Sequence, residues 1–344
     1  MPDDLPAERP PRRVRYRGKN PRRFEEKYKE HDPSHYSGTI AKVIAAGKTP
    51  AGSHRPVMVA EVLAALDPQP GEFAVDCTLG YGGHAQQILA RLQPGGRLLG
   101  LDADPIELPK TEARLRALGF DEPSFTAQRT NFAGLPQLLA QMGIGGVDMI
   151  LADLGVSSMQ LDDPDRGFSL KLEGPLDLRM NPERGSPASE FLRKMSSEKL
   201  SRVLIENADE SNPALAPSLA GRTFSTTRAL ANGIRAALPS QKDEERELTV
   251  RRVFQALRIA VNDEFSALDT FLRNLPACLN PGGRVAILTF HSGEDRRVKK
   301  AFAAGLRNGA YAEISREVVR PGPEERHGNP RATSAKLRWA HSGN

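Results

Sequence analysis

Residues 73–84 read FAVDCTLGYGGH, and this stretch decides the fold. The apolar run FAVDC has the length and composition of a buried strand. Glycines at positions 80, 82 and 83 follow it, and the helical segment HAQQILARL begins at His84. Because glycine lacks a Cβ and tolerates positive φ, this order predicts a strand-turn-helix unit whose turn can approach a ligand closely.

Outward from this unit, short apolar runs alternate with helical segments. The predicted strands after FAVDC are RLLGLD, SFTAQ, VDMILAD and, much later, RVAILTF. Strands that alternate with helices at this spacing imply parallel βαβ units and an α/β, doubly wound sheet. The C-terminal segments YAEISREVV and SAKLRWA predict an antiparallel hairpin at its edge.

The alternation stops near residue 162. Residues 162–245 contain helical pieces between Pro and Gly clusters and predict an inserted all-helical domain, so residues 51–161 and 246–344 form the α/β domain. Residues 250–275 predict one long amphipathic helix that leads back to the sheet. Its polar stripe, Arg251, Gln255, Arg258 and Asn262, is interpreted as a contact surface for a nucleic acid.

Charge is concentrated near the N-terminus. The net charge is +5, and residues 1–50 predict a basic, disordered arm. Between Arg12 and Lys29 its cations, which aromatic residues interrupt, are Arg12, Arg13, Arg15, Arg17, Lys19, Arg22, Arg23, Lys27 and Lys29. This pattern suits an RNA backbone and stacked bases, and it equally suits a solvated tail.

Other compositional features narrow the class of protein. No apolar run is long enough to cross a bilayer and the N-terminus lacks a secretory signal, which predicts a cytoplasmic protein without a membrane partner. Cys77 and Cys278 lie in apolar surroundings and predict buried, reduced thiols. No metal site is expected, and a homodimer is compatible with the sequence.

The glycine turn gains meaning from Asp102, which ends the second strand. A carboxylate there can accept hydrogen bonds from both hydroxyls of a ribose, so turn and acid together indicate a nucleoside cofactor. The turn reads G-Y-G-G-H and departs from the G-x-G-x-x-G pattern of dinucleotide sites. Together with Asp76 it favours a cationic sulfonium ligand, S-adenosylmethionine, and NAD is the second possibility.

The fourth strand ends at Asp153, on the edge where doubly wound sheets bind ligands. An amine that attacks a methyl group must pyramidalise, and acceptors for its N–H hydrogens favour that change. Asp153, Ser157 and Ser158 are the candidate acceptors. The alternative is that Asp153 only caps a turn.

The last strand leads into TFHSGEDRRVKK, residues 289–300. Phe290 and His291 should emerge at the same edge as Asp153, where a ring can stack on a base and an imidazole can hydrogen-bond it. Ser292 and Asp295 predict a capping box for the next helix. Nearby cations predict a phosphate track or a solvated face: Arg296, Arg297, Lys299, Lys300, Arg331, Lys336 and Arg338.

Together, VDCTLGYGGHAQQIL, DLGVSSMQLDDPDRGFSLKLEGPLDLRM, VFQALRIAVN, FHSGEDRRVK and NPRATSAKLR closely resemble the bacterial RsmH (MraW) family from about His54 to Trp339. The resemblance implies a class I S-adenosylmethionine-dependent methyltransferase with a Rossmann-like sheet and a helical insertion. It implies N4-methylation of a decoding-site cytidine in 16S ribosomal RNA, with ribosomal RNA or the small subunit as partner. The cofactor contacts that it implies are Gly82, Gly83, His84, Asp102, Phe132, Asp153 and Gln160.

The chain departs from the family pattern mainly in segments expected near the substrate. Gly293 replaces the leucine of FHSLEDR, LTVRR replaces HPATR, ENADES replaces a GEE-type element and Met159 replaces a proline. Most members also lack the basic arm. A paralogue with another RNA target is therefore an alternative, as is a non-catalytic, cofactor-binding ribosome-assembly protein. The catalytic candidates are Asp153, Ser157, Phe290 and His291.

Overall fold

The computed structural model describes residues 56–343 as an α/β fold. Its strands are β1 Phe73–Asp76, β2 Arg97–Asp102, β3 Phe125–Arg129, β4 Val147–Asp153, β5 Leu279–Thr289, β6 Tyr311–Ile314 and β7 Lys336–Ser342. The first helices are α1 Val59–Leu66, α2 Gly83–Leu92, α3 Glu107–Ala117, α4 Leu135–Gln141 and α5 Ser158–Asp162. They are followed by α6 Ala188–Arg193, α7 Ser197–Ala208, α8 Leu215–Leu219 and α9 Thr227–Ala236. The last are α10 Asp243–Asn262, α11 Glu264–Asn274, α12 Ser292–Arg307 and α13 Pro323–Gly328.

The seven strands form one sheet in the order β3-β2-β1-β4-β5-β7-β6. The five strands from β3 to β5 are parallel, and β7 pairs antiparallel with both β5 and β6. The predicted doubly wound sheet is confirmed. The two C-terminal segments do pair antiparallel, but only β6 is an edge strand, because β7 lies between it and β5.

Alternate residues of each central strand bury into opposite layers. On one face, side chains such as Val75, Ile150 and Ile287 pack against α11 and α12. On the other face, side chains such as Ala74, Met149 and Ala286 pack against α1, α2 and α3. This two-sided burial explains why the strands read as continuous apolar runs and not as alternating ones.

A third apolar cluster is built almost entirely from helices. It extends from Phe168 through α6, α7, α8 and α9 to Leu257 in α10. The helical segment predicted for residues 162–245 falls within it, and the cluster also takes side chains from the first two thirds of α10. The exact domain boundaries stay a prediction.

The predicted single helix over residues 250–275 is wrong, because the chain breaks at Asp263. This residue has φ of 51°, in the left-handed region, and separates α10 from α11. Phe254 and Leu257 in α10 belong to the helical cluster, while Leu268 and Phe271 in α11 belong to the sheet core. The break thus redirects one amphipathic stretch from one core to another.

Cys77 and Cys278 are both free and buried, as predicted. Among the helices of residues 56–343, none combines the length and apolar character that a membrane crossing requires. The basic arm predicted for residues 1–50 lies outside the described residues.

Candidate active site at the carboxyl edge of the sheet

Three carboxylates lie at the carboxyl ends of adjacent strands. Asp76 ends β1, Asp102 ends β2 and Asp153 ends β4. Burial raises the pKa of Asp76 and of Asp102 to about 6 and that of Asp153 to about 7. Asp102 and Asp153 also repel the charge on Asp76, and Glu294 repels that on Asp153. The edge therefore carries concentrated negative charge that a cation would relieve.

The glycine turn between β1 and α2 is tightly packed. Gly82 has φ of 73°, and a Cβ there would lie 3.0 Å from a methyl carbon of Thr111 in α3. A Cβ on Gly83 would lie 2.3 Å from Cγ of Pro56. Gly82 is therefore required for its positive φ and Gly83 for lack of space. The backbone of the turn is joined to the carboxylate edge by the 2.8 Å hydrogen bond from Gly80 N to Asp102 Oδ2.

Asp102 lies where the second strand meets its turn. Its carboxylate accepts hydrogen bonds from the backbone N–H groups of Gly80 and Asp104, both at 2.8 Å. The carboxylate is therefore held in place at the strand end, where a ribose is bound in doubly wound sheets. Phe132, at the end of the neighbouring β3, is half-buried and packs edge to face on Phe271, with ring centroids 5.3 Å apart.

Gln160 is buried and forms hydrogen bonds at both ends of its amide. Its Oε1 accepts from Ser157 N at 2.9 Å, while the Ser157 hydroxyl oxygen accepts from Gln160 N at 3.2 Å. Its Nε2 donates to Asp104 Oδ2 at 2.7 Å. Ser157 and Gln160 thus form the capping box of α5 and link it to the turn after β2. The predicted roles of Ser157 in catalysis and of Gln160 in cofactor binding stay predictions.

Arg166 extends this link to the start of the helical cluster. Its guanidinium donates to Asp104 Oδ2 at 2.8 Å and to the carbonyl oxygens of Arg179 and Met180 at 3.2 and 2.8 Å. Asp104 and Arg166 are both almost fully buried. A buried ion pair therefore joins the turn that holds Asp102 to the segment that enters the helices.

Asp153 has one carboxylate oxygen without a partner. Within residues 56–343, Oδ1 is enclosed and makes no hydrogen bond. Its Oδ2 lies 3.6 Å from Nδ1 of His84, which is itself buried. Nε2 of His84 lies 2.9 Å from the carbonyl oxygen of Val57. The imidazole therefore lies between the Asp153 carboxylate and the carbonyl group of Val57. The predicted cofactor contact of His84 stays a prediction.

Phe290 and His291 follow β5, and the structure brings Phe290 beside the Asp153 loop. A Cβ on Gly155 would lie 3.8 Å from Cδ2 of Phe290, the nearest heavy atom. His291 turns instead toward Glu294: its Nδ1 accepts from Glu294 N at 3.4 Å, and its Nε2 lies 3.1 Å from Oε1. The predicted catalytic roles of Phe290 and His291 stay predictions.

The predicted capping box of Ser292 with Asp295 is wrong. His291 is the N-cap of α12, and Glu294 is its N3 partner. Glu294 is buried, and its Oε2 accepts from Phe290 N at 2.9 Å. Burial opposes ionisation of Glu294, but His291 and Arg258 outweigh it and hold its pKa below the usual range.

Several polar residues predicted to face a nucleic acid are used inside the protein. Gln255 donates to Asn207 O, Arg258 pairs with Glu264 at 2.9 Å, and Asn262 donates to Leu178 O. Three of the four residues in the predicted stripe are therefore structural, which corrects that interpretation. Along the predicted phosphate track, carboxylates lie beside Arg296, Arg297, Arg331, Lys336 and Arg338.

Asp104, Arg166 and Glu294 are central to the edge, and sequence reasoning missed all three. Glu294 follows His291 at the spacing of a capping box, so a cap at His291 predicts the role of Glu294. Arg166 and Asp104 are 62 positions apart, and no local pattern relates them. Among the described residues, no group of His, Cys, Asp and Glu side chains is arranged to hold a metal ion.

The residues at this edge fit a sulfonium cofactor. Acids at three strand ends, two of them repelling a third, form a donor set that suits a cation better than a pyrophosphate. The sheet order, in which the antiparallel strand β7 lies between β5 and the edge strand β6, is that of a class I S-adenosylmethionine-dependent methyltransferase.

Residues 51–342 match the model of the MraW methylase family, and the chain belongs to that family. It is 49% identical to ribosomal RNA small subunit methyltransferase H 2 of Alkaliphilus metalliredigens, over 98% of this chain and 99% of that one. It is 48% identical to methyltransferase H 1 of Lachnoclostridium phytofermentans, over 96% and 92% of the two chains. It is 41% identical to methyltransferase H of Halorhodospira halophila, over 86% and 96%. The cofactor is therefore S-adenosylmethionine, and the NAD alternative is dismissed.

Proposed function

We propose that this protein transfers a methyl group from S-adenosylmethionine to N4 of a cytidine in small-subunit ribosomal RNA, at the decoding site. The observation that carries the proposal is the Asp153 carboxylate, which is 28% exposed at the end of β4 and has one oxygen without a hydrogen-bond partner in the described structure. It lies at the strand end where this class of enzyme brings donor and acceptor together. Relatives that share 48–49% identity over nearly the whole chain are named as small-subunit ribosomal RNA methyltransferases.

The chemistry needs a proton acceptor more than a nucleophile. When bound, S-adenosylmethionine supplies an electrophilic methyl group on its sulfonium sulfur. The Asp153 carboxylate then accepts a hydrogen bond from one N–H of the exocyclic amine, which frees the nitrogen lone pair for attack. With a pKa of about 7, Asp153 can accept the proton that the amine must lose after methylation.

Phe290 is the proposed surface for the target base. Its ring lies beside Gly155, which has φ of 106° and no side chain to cover that side of the loop. A base that has left its stack is commonly held by an aromatic ring. We assign structural roles to His291 and Ser157, because His291 faces Glu294 and Ser157 caps α5.

The RNA partner is supported by charge. The cations between Arg12 and Lys29 would neutralise backbone phosphates, in the cytoplasm where the small subunit is assembled. The match to the Alkaliphilus relative covers 98% of this chain and so includes most of residues 1–50. This relative therefore has an N-terminal segment that aligns with most of the arm.

A different RNA target is the second candidate, and Gly293 favours it. A Cβ at this position would lie 2.6 Å from Cζ of Phe265, whose ring also contacts His291, with ring centroids 5.7 Å apart. The leucine common in the family at this position therefore cannot fit unless Phe265 moves. The rim beside Phe290 is packed differently here, which can alter the nucleotide that is accepted.

The test uses small subunits from a strain that lacks the gene, purified full-length protein and S-adenosylmethionine carrying a labelled methyl group. We expect label in N4-methylcytidine, mapped by nuclease digestion and mass spectrometry to the decoding site. Asp153→Asn should lose at least about a hundredfold of the transfer rate measured at saturating donor. Label elsewhere in the RNA supports the second candidate, and donor binding without any transfer supports a non-catalytic assembly protein.

A further inference from the structure

His84 lies behind Asp153 in an arrangement that fixes where its ring proton resides. The carbonyl oxygen of Val57, 2.9 Å from Nε2, can only accept a hydrogen bond, so Nε2 carries the proton. In a neutral ring, Nδ1 then has an unprotonated lone pair. That lone pair faces Asp153 Oδ2 at 3.6 Å.

His84 Nδ1 and Asp153 Oδ2 are two acceptors on side chains that are 7% and 28% exposed, so a proton taken up by either group has an acceptor in the other. Burial lowers the pKa of His84 and raises that of Asp153 to about 7, so neither group holds a charge easily alone. The charged groups around His84 are Asp76 and Glu325, and those around Asp153 are Glu294 and Asp76. All of them are carboxylates, which favour uptake of a proton by the pair.

The segment before α1 fixes His84 in this position. Val57 supplies the carbonyl, and the next residue, Met58, donates its backbone N–H to Glu325 Oε1 at 2.7 Å. Pro56 packs over Gly83 at the start of α2. The imidazole is therefore held from its far side, and its free nitrogen can only face Asp153.

We infer that His84 is a positioning residue that shares with Asp153 the proton released by the methylated amine. The inference rests on the proposed function for the identity of the amine. In the step, the S–CH₃ bond breaks as the N4–CH₃ bond forms, and one N4–H bond then breaks. The proton moves to the Asp153 carboxylate, and the protonated Oδ2 then donates to Nδ1 of His84, which lies 3.6 Å away and must approach by a few tenths of an ångström, until the proton exchanges with solvent. This role differs from direct contact with the cofactor.

The first test needs neither donor nor RNA. Full-length protein with ¹⁵N-labelled histidine is titrated by NMR, and the His84 signals are identified by their loss in His84→Gln. We expect the tautomer protonated at Nε2, with an Nδ1 shift that responds to pH and moves to a lower titration midpoint in Asp153→Asn. An Nδ1 titration that is identical in wild type and Asp153→Asn overturns the pairing, whether or not the protein methylates ribosomal RNA.

The second test is single-turnover methyl transfer from pH 6 to 9 with saturating donor. His84→Gln should slow transfer about tenfold to a hundredfold and move the pH midpoint, while donor affinity measured by calorimetry stays within about twofold. His327→Gln, at an exposed histidine in α13, is the matched control and should change neither quantity. Weaker donor binding together with an unchanged rate at saturation shows that His84 serves the cofactor alone, and overturns the inference.

Discussion

Replacing Arg166 by methionine tests whether the buried ion pair holds the cofactor edge together. The Arg166 side chain is 6% exposed and that of Asp104 is 1% exposed, with 2.8 Å between the paired atoms. The substitution keeps much of the apolar volume of the side chain but removes the charge. It leaves the Asp104 carboxylate with Gln160 and backbone N–H donors and without a counter-charge.

The expected cost follows from this burial. Removing one partner of a buried ion pair destabilises a protein by about 3–5 kcal/mol, because the remaining charge is neither solvated nor paired. The carbonyl oxygens of Arg179 and Met180 also lose their donor. At about 2–4 °C per kcal/mol for a large domain, Tm should fall by roughly 10 °C.

Thermal unfolding followed by circular dichroism measures this change, and an exposed pair provides the control. Arg129 and Glu183 are also 2.9 Å apart but 54% and 60% exposed, so Arg129→Met should cost about 0–1 kcal/mol. The double variant Asp104→Asn with Arg166→Met should recover part of the loss, since it leaves no unpaired charge. A fall in Tm no larger than that of Arg129→Met refutes the reasoning.

Three further predictions concern the same edge and its approach. Glu294→Gln removes a negative charge that, after burial, helps to raise the pKa of Asp153, so the pH midpoint of methyl transfer should move lower and activity should persist in more acidic buffer. Deleting residues 1–50 should weaken RNA binding and flatten its dependence on salt, by about 0.7 in logarithmic slope for every phosphate that the arm would otherwise neutralise. Gly83→Ala should destabilise the protein by about 1–3 kcal/mol in urea unfolding, because the new methyl group overlaps Pro56.

Each of these has a control and a contradicting result. Glu313→Gln makes the same charge change on the edge strand β6 and should leave the pH midpoint in place; an equal shift in both variants contradicts a local effect. An unchanged salt slope after deletion marks the arm as a bystander. Gly145→Ala has open space and ordinary φ, so its stability should be near that of wild type, and an equal loss at both glycines contradicts the steric argument.

The sequence predicted the sheet well because each central strand is buried on both faces. FAVDC and VDMILAD are mostly apolar without strict alternation, and this pattern depends on local composition alone. The break at Asp263 could not be predicted, since a non-glycine residue adopts positive φ there to satisfy two separate cores. The helix cap was misplaced by one residue because His291 is an uncommon N-cap, whereas Ser292 is of the preferred type.

The candidate acids could be located for a topological reason. The ends of parallel strands share one edge, so Asp76, Asp102 and Asp153 had to lie close together once the strands were recognised. Their partners could not be located in this way. Arg166 reaches Asp104 from 62 positions away, through a loop that leads into the helical cluster, so no local pattern indicates the pair.

The distribution of charge at the edge explains why the buried Arg166 is not available to the acids that are proposed to face the cofactor. Arg166 is engaged by Asp104, and the charges that act on Asp102 and Asp153 within the described chain are carboxylates. A sulfonium donor offsets that repulsion, whereas the thioether product is neutral and does not. We therefore expect the donor to bind more tightly than the thioether product, because the cation relieves the repulsion among these buried acids and the neutral product does not.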